Sequence, residues 1–104
     1  MHKVNKAFLE AKVRRLNLKI NPHLLPNKIK YNTVGAFLLS CENGGYSLHR
    51  VTSSNGCVDD ILRIGHTSKK ELAKQMHAFE RGYDFFKDQL ATSIQLLKTE
   101  QPTI

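Results

Sequence analysis

The chain has no tryptophan, only two cysteines and three prolines in 104 residues. Acidic residues are scarce where they would count most: Glu10 is the only one among the first thirty residues. No run approaches the roughly 20 apolar residues that a membrane-spanning helix needs. No short apolar stretch follows the opening charges, so neither a bilayer span nor a secretory signal is expected. Cys41 and Cys57 stand sixteen positions apart, outside any CxxC pattern. They are expected to be reduced thiols of a cytoplasmic protein. The missing tryptophan also argues against docking on a lipid surface. Internal repeats and low-complexity tracts are absent, and an apolar fraction of 40% with 24% charged residues fits one ordinary folded domain spanning 1–104.

What the chain does have is charge of one sign at one end. Residues 1–30 hold Lys3, Lys6, Lys12, Arg14, Arg15, Lys19, Lys28 and Lys30 against Glu10, so eight minus one gives +7. Residues 31–104 hold eight bases and eight acids, which cancel. The whole net charge of +7 therefore sits in the opening segment. Such a field draws phosphates or acidic protein surfaces. The expected role is a non-enzymatic binding module in which those eight cations engage a polyanion, with nucleic acid first and an acidic protein surface second. Phosphate contacts of this kind are salt-dependent and weak in sequence preference. Aromatic interleaving is thin, with Phe8 and Tyr31 alone available for base stacking.

Periodicity divides the chain into elements. Leu9, Val13, Leu16 and Ile20 recur at helical spacing and predict an amphipathic helix over 4–20, with Lys12, Arg15 and Lys19 beside the stripe and Arg14 across it. Asn21-Pro22 ends that helix, and a basic connector continues to about residue 32. Thr33–Cys41 reads as a strand, and Asn43-Gly44 as a two-residue hairpin turn pairing Cys41 with Tyr46, Leu39 with Leu48 and Phe37 with Arg50. For the next turn we expect a three-residue loop of Ser54, Asn55 and left-handed Gly56. That register sets Leu48 against Leu62, Tyr46 against Ile64 and Arg50 against Asp60.

Ser68 and Glu71 have capping-box spacing at the start of a helix carrying Leu72, Met76, Phe79, Tyr83, Phe86 and Leu90, with Ile94 and Leu97 extending the stripe. One helix over 68–98 would be about 45 Å long, against about 30 Å for the middle strand. Its last turns must overhang unless the chain breaks near Gly82. The expected architecture is α+β, in the order αβββα: helix and connector over 1–30, a three-stranded antiparallel meander over 33–65, and a helix over 68–98. Leu90, Ile94 and Leu97 then form a candidate face for a homodimer or another partner.

Other constellations carry less. Cys41, His49, Cys57 and His66 lack the close ligand pair of a structural zinc site, so no metal and no cofactor are expected. Asp59 and Asp60 alternate across a strand and cannot converge on one bond. Cys57 and His66 are too far apart in an extended segment to form a nucleophile–base pair, so no catalytic residue is assigned. Arg50, His66, Ser68, Lys69 and Lys70 form a second candidate, an anion or nucleotide pocket at the start of the C-terminal helix, where free N–H groups favour negative charge.

The stretch "GGYSLHRVTSSNGCVDDILRIGHTSKKEL", residues 44–72, resembles small accessory proteins of tailed bacteriophages in running a Gly-Gly-Tyr strand through a glycine turn and a Val-Asp strand into a Lys-Glu-Leu helix start. The resemblance implies no catalytic residues. It implies a small protein acting by binding in a host cytoplasm, and an alternative function: inhibiting a host enzyme or defence system by binding a protein target or sequestering a nucleotide.

Overall fold

The computed structural model describes residues 4–99, so Lys3 lies outside the described residues. Helix α1 spans Lys6–Ile20, strands β1, β2 and β3 span Phe37–Glu42, Gly45–Val51 and Val58–Asp60, and helix α2 spans Lys69–Thr99. A 3₁₀ turn at Pro26–Lys28 interrupts the connector. The strands form one antiparallel sheet in the order β1-β2-β3, so the expected αβββα order is present.

Local chemistry accounts for most boundaries. Asn5 caps α1 by accepting from the Phe8 N–H at 2.8 Å, so the helix starts two residues later than expected. Asn43 and Gly44 both have positive φ, 52° and 77°, the geometry that a tight two-residue hairpin needs. That turn gives the expected pairs Phe37–Arg50, Leu39–Leu48 and Cys41–Tyr46. β1 begins at Phe37 rather than Thr33. The Ala36 N–H bonds back to the Thr33 carbonyl at 3.1 Å, and Gly35 turns the chain at φ 91°. Ser68 caps α2 through the Glu71 N–H at 3.1 Å. The helix then runs unbroken through Gly82.

The β2–β3 register differs from expectation. The pairs are His49–Asp60, Arg50–Asp59 and Val51–Val58, one residue away from the expected set. The loop is four residues, Ser53–Gly56, closed by Thr52 N–H to Cys57 at 2.8 Å; Gly56 is left-handed as expected. Leu62 and Ile64, whose match to Leu48 and Tyr46 decided the expected register, are not in a strand at all. Asp60 stops β3 by accepting from the Arg63 and Gly65 N–H groups at 3.2 and 2.9 Å and from the Ser47 hydroxyl at 3.2 Å. The chain loops out and returns at Thr67, which pairs with Tyr46 in place of Ile64. Val58 and Ile64 are accordingly exposed rather than part of the apolar face, while Leu62 packs against the core from the loop.

Both helices cover the sheet face that carries Phe37, Leu39, Tyr46 and Leu48, α1 over β1 and α2 over β2. Leu9, Leu16, Phe37, Leu48, Leu72 and Met76 are buried to 2% exposure or less and form the centre of the core. Each contributes roughly 1.5–3 kcal/mol by leaving water. The two helices run side by side in one direction: Arg15 reaches Glu80, and Lys19, one turn further on, reaches Asp84. α2 outruns the sheet as expected, and the molecule extends 63 Å along its longest axis. No described helix is long and apolar enough to cross a membrane.

Candidate binding groove

The cations of α1 divide between its two flanks. At 100° per residue, Lys12, Arg15 and Lys19 fall on the side toward α2, and Lys6 and Arg14 on the side toward the open edge of β1. Two of the first group have acidic partners within the molecule, although the Arg15 side chain stays 65% exposed. Arg15 Nε and Lys19 Nζ donate to Glu80 at 2.9 and 2.6 Å, and Lys19 also bridges to Asp84 at 3.1 Å. Burial acts to raise the Glu80 pKa, but the Lys19 hydrogen bond and the nearby Arg15 and Lys19 charges outweigh it and hold the carboxyl below its ordinary range. The Lys19 pKa is raised, chiefly by its bond to Glu80 and then by that to Asp84. Two of the eight expected polyanion contacts thus hold α1 to α2. Lys12 is half-buried, its ammonium 5.3 Å from the Phe8 ring centre.

The other flank borders a groove of about 500 Å³ between α1, the 26–29 segment and β1. Val13, Pro26, Ile29, Phe37, Leu38 and Leu39 give it an apolar floor, and Lys6, Glu10 and Arg14 stand on the helix side. Lys6 and Glu10 are 4.0 Å apart, both well exposed, a pair worth little in water. Lys28 and Lys30, both exposed, flank Ile29 in sequence but do not line the groove; Lys28 borders a smaller hollow with His23, Leu25 and Thr33.

One end of the groove is closed by Asn17, which is 4% exposed. Its side-chain amide accepts from the Phe37 N–H at 2.8 Å and donates to the Phe37 carbonyl at 3.0 Å, taking the place of a neighbouring strand. Asn21 supports it, donating to Asn17 Oδ1 at 3.3 Å and to the Gly35 carbonyl at 2.8 Å. In an antiparallel pair the backbone groups of alternate residues point to the same edge. The N–H and C=O of Leu39 and Cys41 therefore point outward with those of Phe37, and no group among the described residues bonds to that side of either. Both residues line the groove. Sequence reasoning gave no site role to Asn17, Asn21, Leu38, Leu39 or Ile29; it gave Asn21 only as the helix end and Leu39 only as the strand partner of Leu48. The available signal was Asn17 itself, a polar residue four after Val13 and three before Ile20, inside the apolar stripe.

The second candidate pocket does not assemble. Arg50 lies over the Phe37 ring at 5.6 Å, with Nε donating to Gly35 at 3.2 Å, instead of pairing with Asp60. Lys69 lies over Tyr46 at 5.8 Å, four residues along β2 from Arg50, about 13 Å in a strand. The Ser68 hydroxyl is taken by its cap, and Lys70 is exposed on the helix. His66 sits on the opposite sheet face, its Nε2 2.8 Å from the Ser40 hydroxyl and 3.8 Å from Glu42. Both contacts fall on the same ring nitrogen, whereas a serine–histidine–carboxylate relay needs the acid on the other one. Cys41 and Cys57 are free and exposed, and among the described residues no group of three His, Cys, Asp or Glu side chains could hold a metal.

Comparison with protein-family models, with curated proteins and with solved structures finds no match to this chain.

Proposed function

We propose that the protein is a non-enzymatic binding module whose partner presents an extended, acidic polypeptide segment to the groove between α1 and β1. The observation that carries this reading is the outward edge at Leu39 and Cys41, set in an apolar groove whose walls carry more positive than negative charge. An incoming strand would pair with that edge, and the side chains of its inward face would meet the apolar floor and, on the helix side, Arg14 and Lys6. This reading narrows the polyanion expectation to the cations on the groove side. Arg15 and Lys19 have structural work between the helices. Inhibition of a host protein, implied by the resemblance over residues 44–72, is one setting in which such a docking site would act.

The test titrates a labelled peptide that carries Val and Asp on the same face when extended, and a single-stranded DNA of matched charge, against the wild-type chain and three variants. Arg14→Glu should weaken peptide binding about tenfold. Cys41→Pro, which removes an N–H that serves no bond within the sheet, should weaken it at least as much. Arg15→Glu should leave peptide affinity nearly unchanged. Preferential binding of the DNA, with Arg14→Glu and Arg15→Glu equally damaging, would refute the groove reading in favour of the whole basic segment.

A further inference from the structure

Independently of the groove, we propose that α2 pairs with α2 of a second copy in an antiparallel, two-fold arrangement centred on Leu90. The stripe that builds the core continues past the point where the body ends. Leu72 and Met76 are buried and Phe79 and Tyr83 half-buried, but every residue from 84 to 98 is exposed. On the same stripe Phe86, Leu90, Ile94 and Leu97 remain 65%, 50%, 45% and 66% exposed. The helix stays regular there.

The spacing names the occupant. Phe86 and Tyr83 lie four and seven positions before Leu90, and Ile94 and Leu97 lie four and seven after it. A two-fold axis at Leu90 therefore maps the stripe onto itself, with Leu90 against Leu90, Phe86 against Ile94 and Tyr83 against Leu97, the self-complementarity that an isologous interface requires. A parallel pair would set Phe86 against Phe86 and leave both bodies side by side. The antiparallel pair sends the bodies to opposite ends, each helix meeting its partner from Tyr83 outward.

Charge permits the approach: Asp84 and Asp88 balance Lys87 and Lys98 over residues 84–98, whereas α1, with its excess of bases, would repel its own copy. The area also suffices. Withdrawing roughly 100 Å² for each of the four exposed side chains, in both copies, gives about 800 Å² of apolar surface. Flanking polar stems bring the total to about 1,200 Å², the lower end of specific interfaces.

The experiment uses the full chain in sedimentation equilibrium, with Leu90→Glu as the disrupting variant and circular dichroism to verify that it stays folded. A dimer in the wild type, with the dissociation constant raised at least about 100-fold by Leu90→Glu, is expected. In a Cys41→Ser, Cys57→Ser background, Leu90→Cys should cross-link on mild oxidation and Phe86→Cys alone should not, because a disulfide needs Cα atoms within about 7 Å. A wild-type monomer at high concentration, a dimer that survives Leu90→Glu, or cross-linking of Phe86→Cys as readily as Leu90→Cys would each overturn the proposal.

Discussion

Replacing Asn17 by leucine tests the central structural claim, that a helix side chain serves as the missing neighbour of an edge strand. The substitution nearly conserves volume, so the effect reads polar loss rather than a cavity. Phe37 is 2% exposed, and its N–H and C=O both end on Asn17. Leaving a buried backbone group unsatisfied costs about 1–3 kcal/mol, so two such groups together cost about 2–6. The buried leucine returns about 1–2 kcal/mol of transfer energy. The middles of these two ranges, about 4 less about 1.5, give an expected net loss of about 2.5 kcal/mol, a large share of the roughly 5–15 kcal/mol that a domain of this size holds. In urea, followed by circular dichroism, the midpoint should fall by about 1–2 M with the slope unchanged. Asn17→Asp adds an internal check. It can accept from Phe37 but donates to the carbonyl only when protonated, so its deficit should shrink as pH falls. A loss below about 1 kcal/mol in Asn17→Leu would refute the reasoning, because Phe37 would then have been satisfied by water or by a shift of α1.

Two further outcomes follow from the same packing. The Glu80 pKa is below its ordinary value of 4.5, so its contribution is present above that pH and is lost as pH falls through the folded value. Thermal melts should show the wild type losing stability on the acid side of about pH 4.5 and Glu80→Gln losing much less; parallel pH profiles would contradict the assignment. Lys19 works in the opposite sense: its raised pKa keeps its contribution intact below 10.5 and lets it fade as pH climbs through the folded value. Gly45→Ala would put a Cβ 2.9 Å from the His66 Cβ and 3.1 Å from its backbone carbonyl carbon. It should destabilise by about 1–3 kcal/mol through overpacking, and a change under about 0.5 kcal/mol would show that the 61–67 loop yields freely.

The elements legible in the sequence were those specified locally. Asn43-Gly44 determined the first hairpin and its register, and the 4-3 stripe from Leu72 to Leu97 determined α2 and its overhang. The second hairpin failed because hydrophobic matching assumed that Leu62 and Ile64 were strand residues. A local competitor, the Asp60 carboxylate gathering two backbone N–H groups, removed them from the strand. The candidate site was harder to see for a different reason. Charge is visible in a sequence, but pairing is not: Arg14 and Arg15 are neighbours of one kind, and only the placement of Glu80 on α2 separates a free cation from a committed one. The groove itself joins residues from 6 to 41 through the packing of a helix on an edge, which no spacing encodes.

The blocked position at Phe37 has a consequence for solubility. Uncovered sheet margins invite identical chains to stack without limit, and proteins suppress this by making the margin short or charged. Here the amide plug stops the margin at one end and the tight hairpin at the other, so a visitor finds two rungs and then nothing. A two-rung berth gives a copy of this chain little to pair with on the β1 side, and β3, only three residues long, offers little on the other.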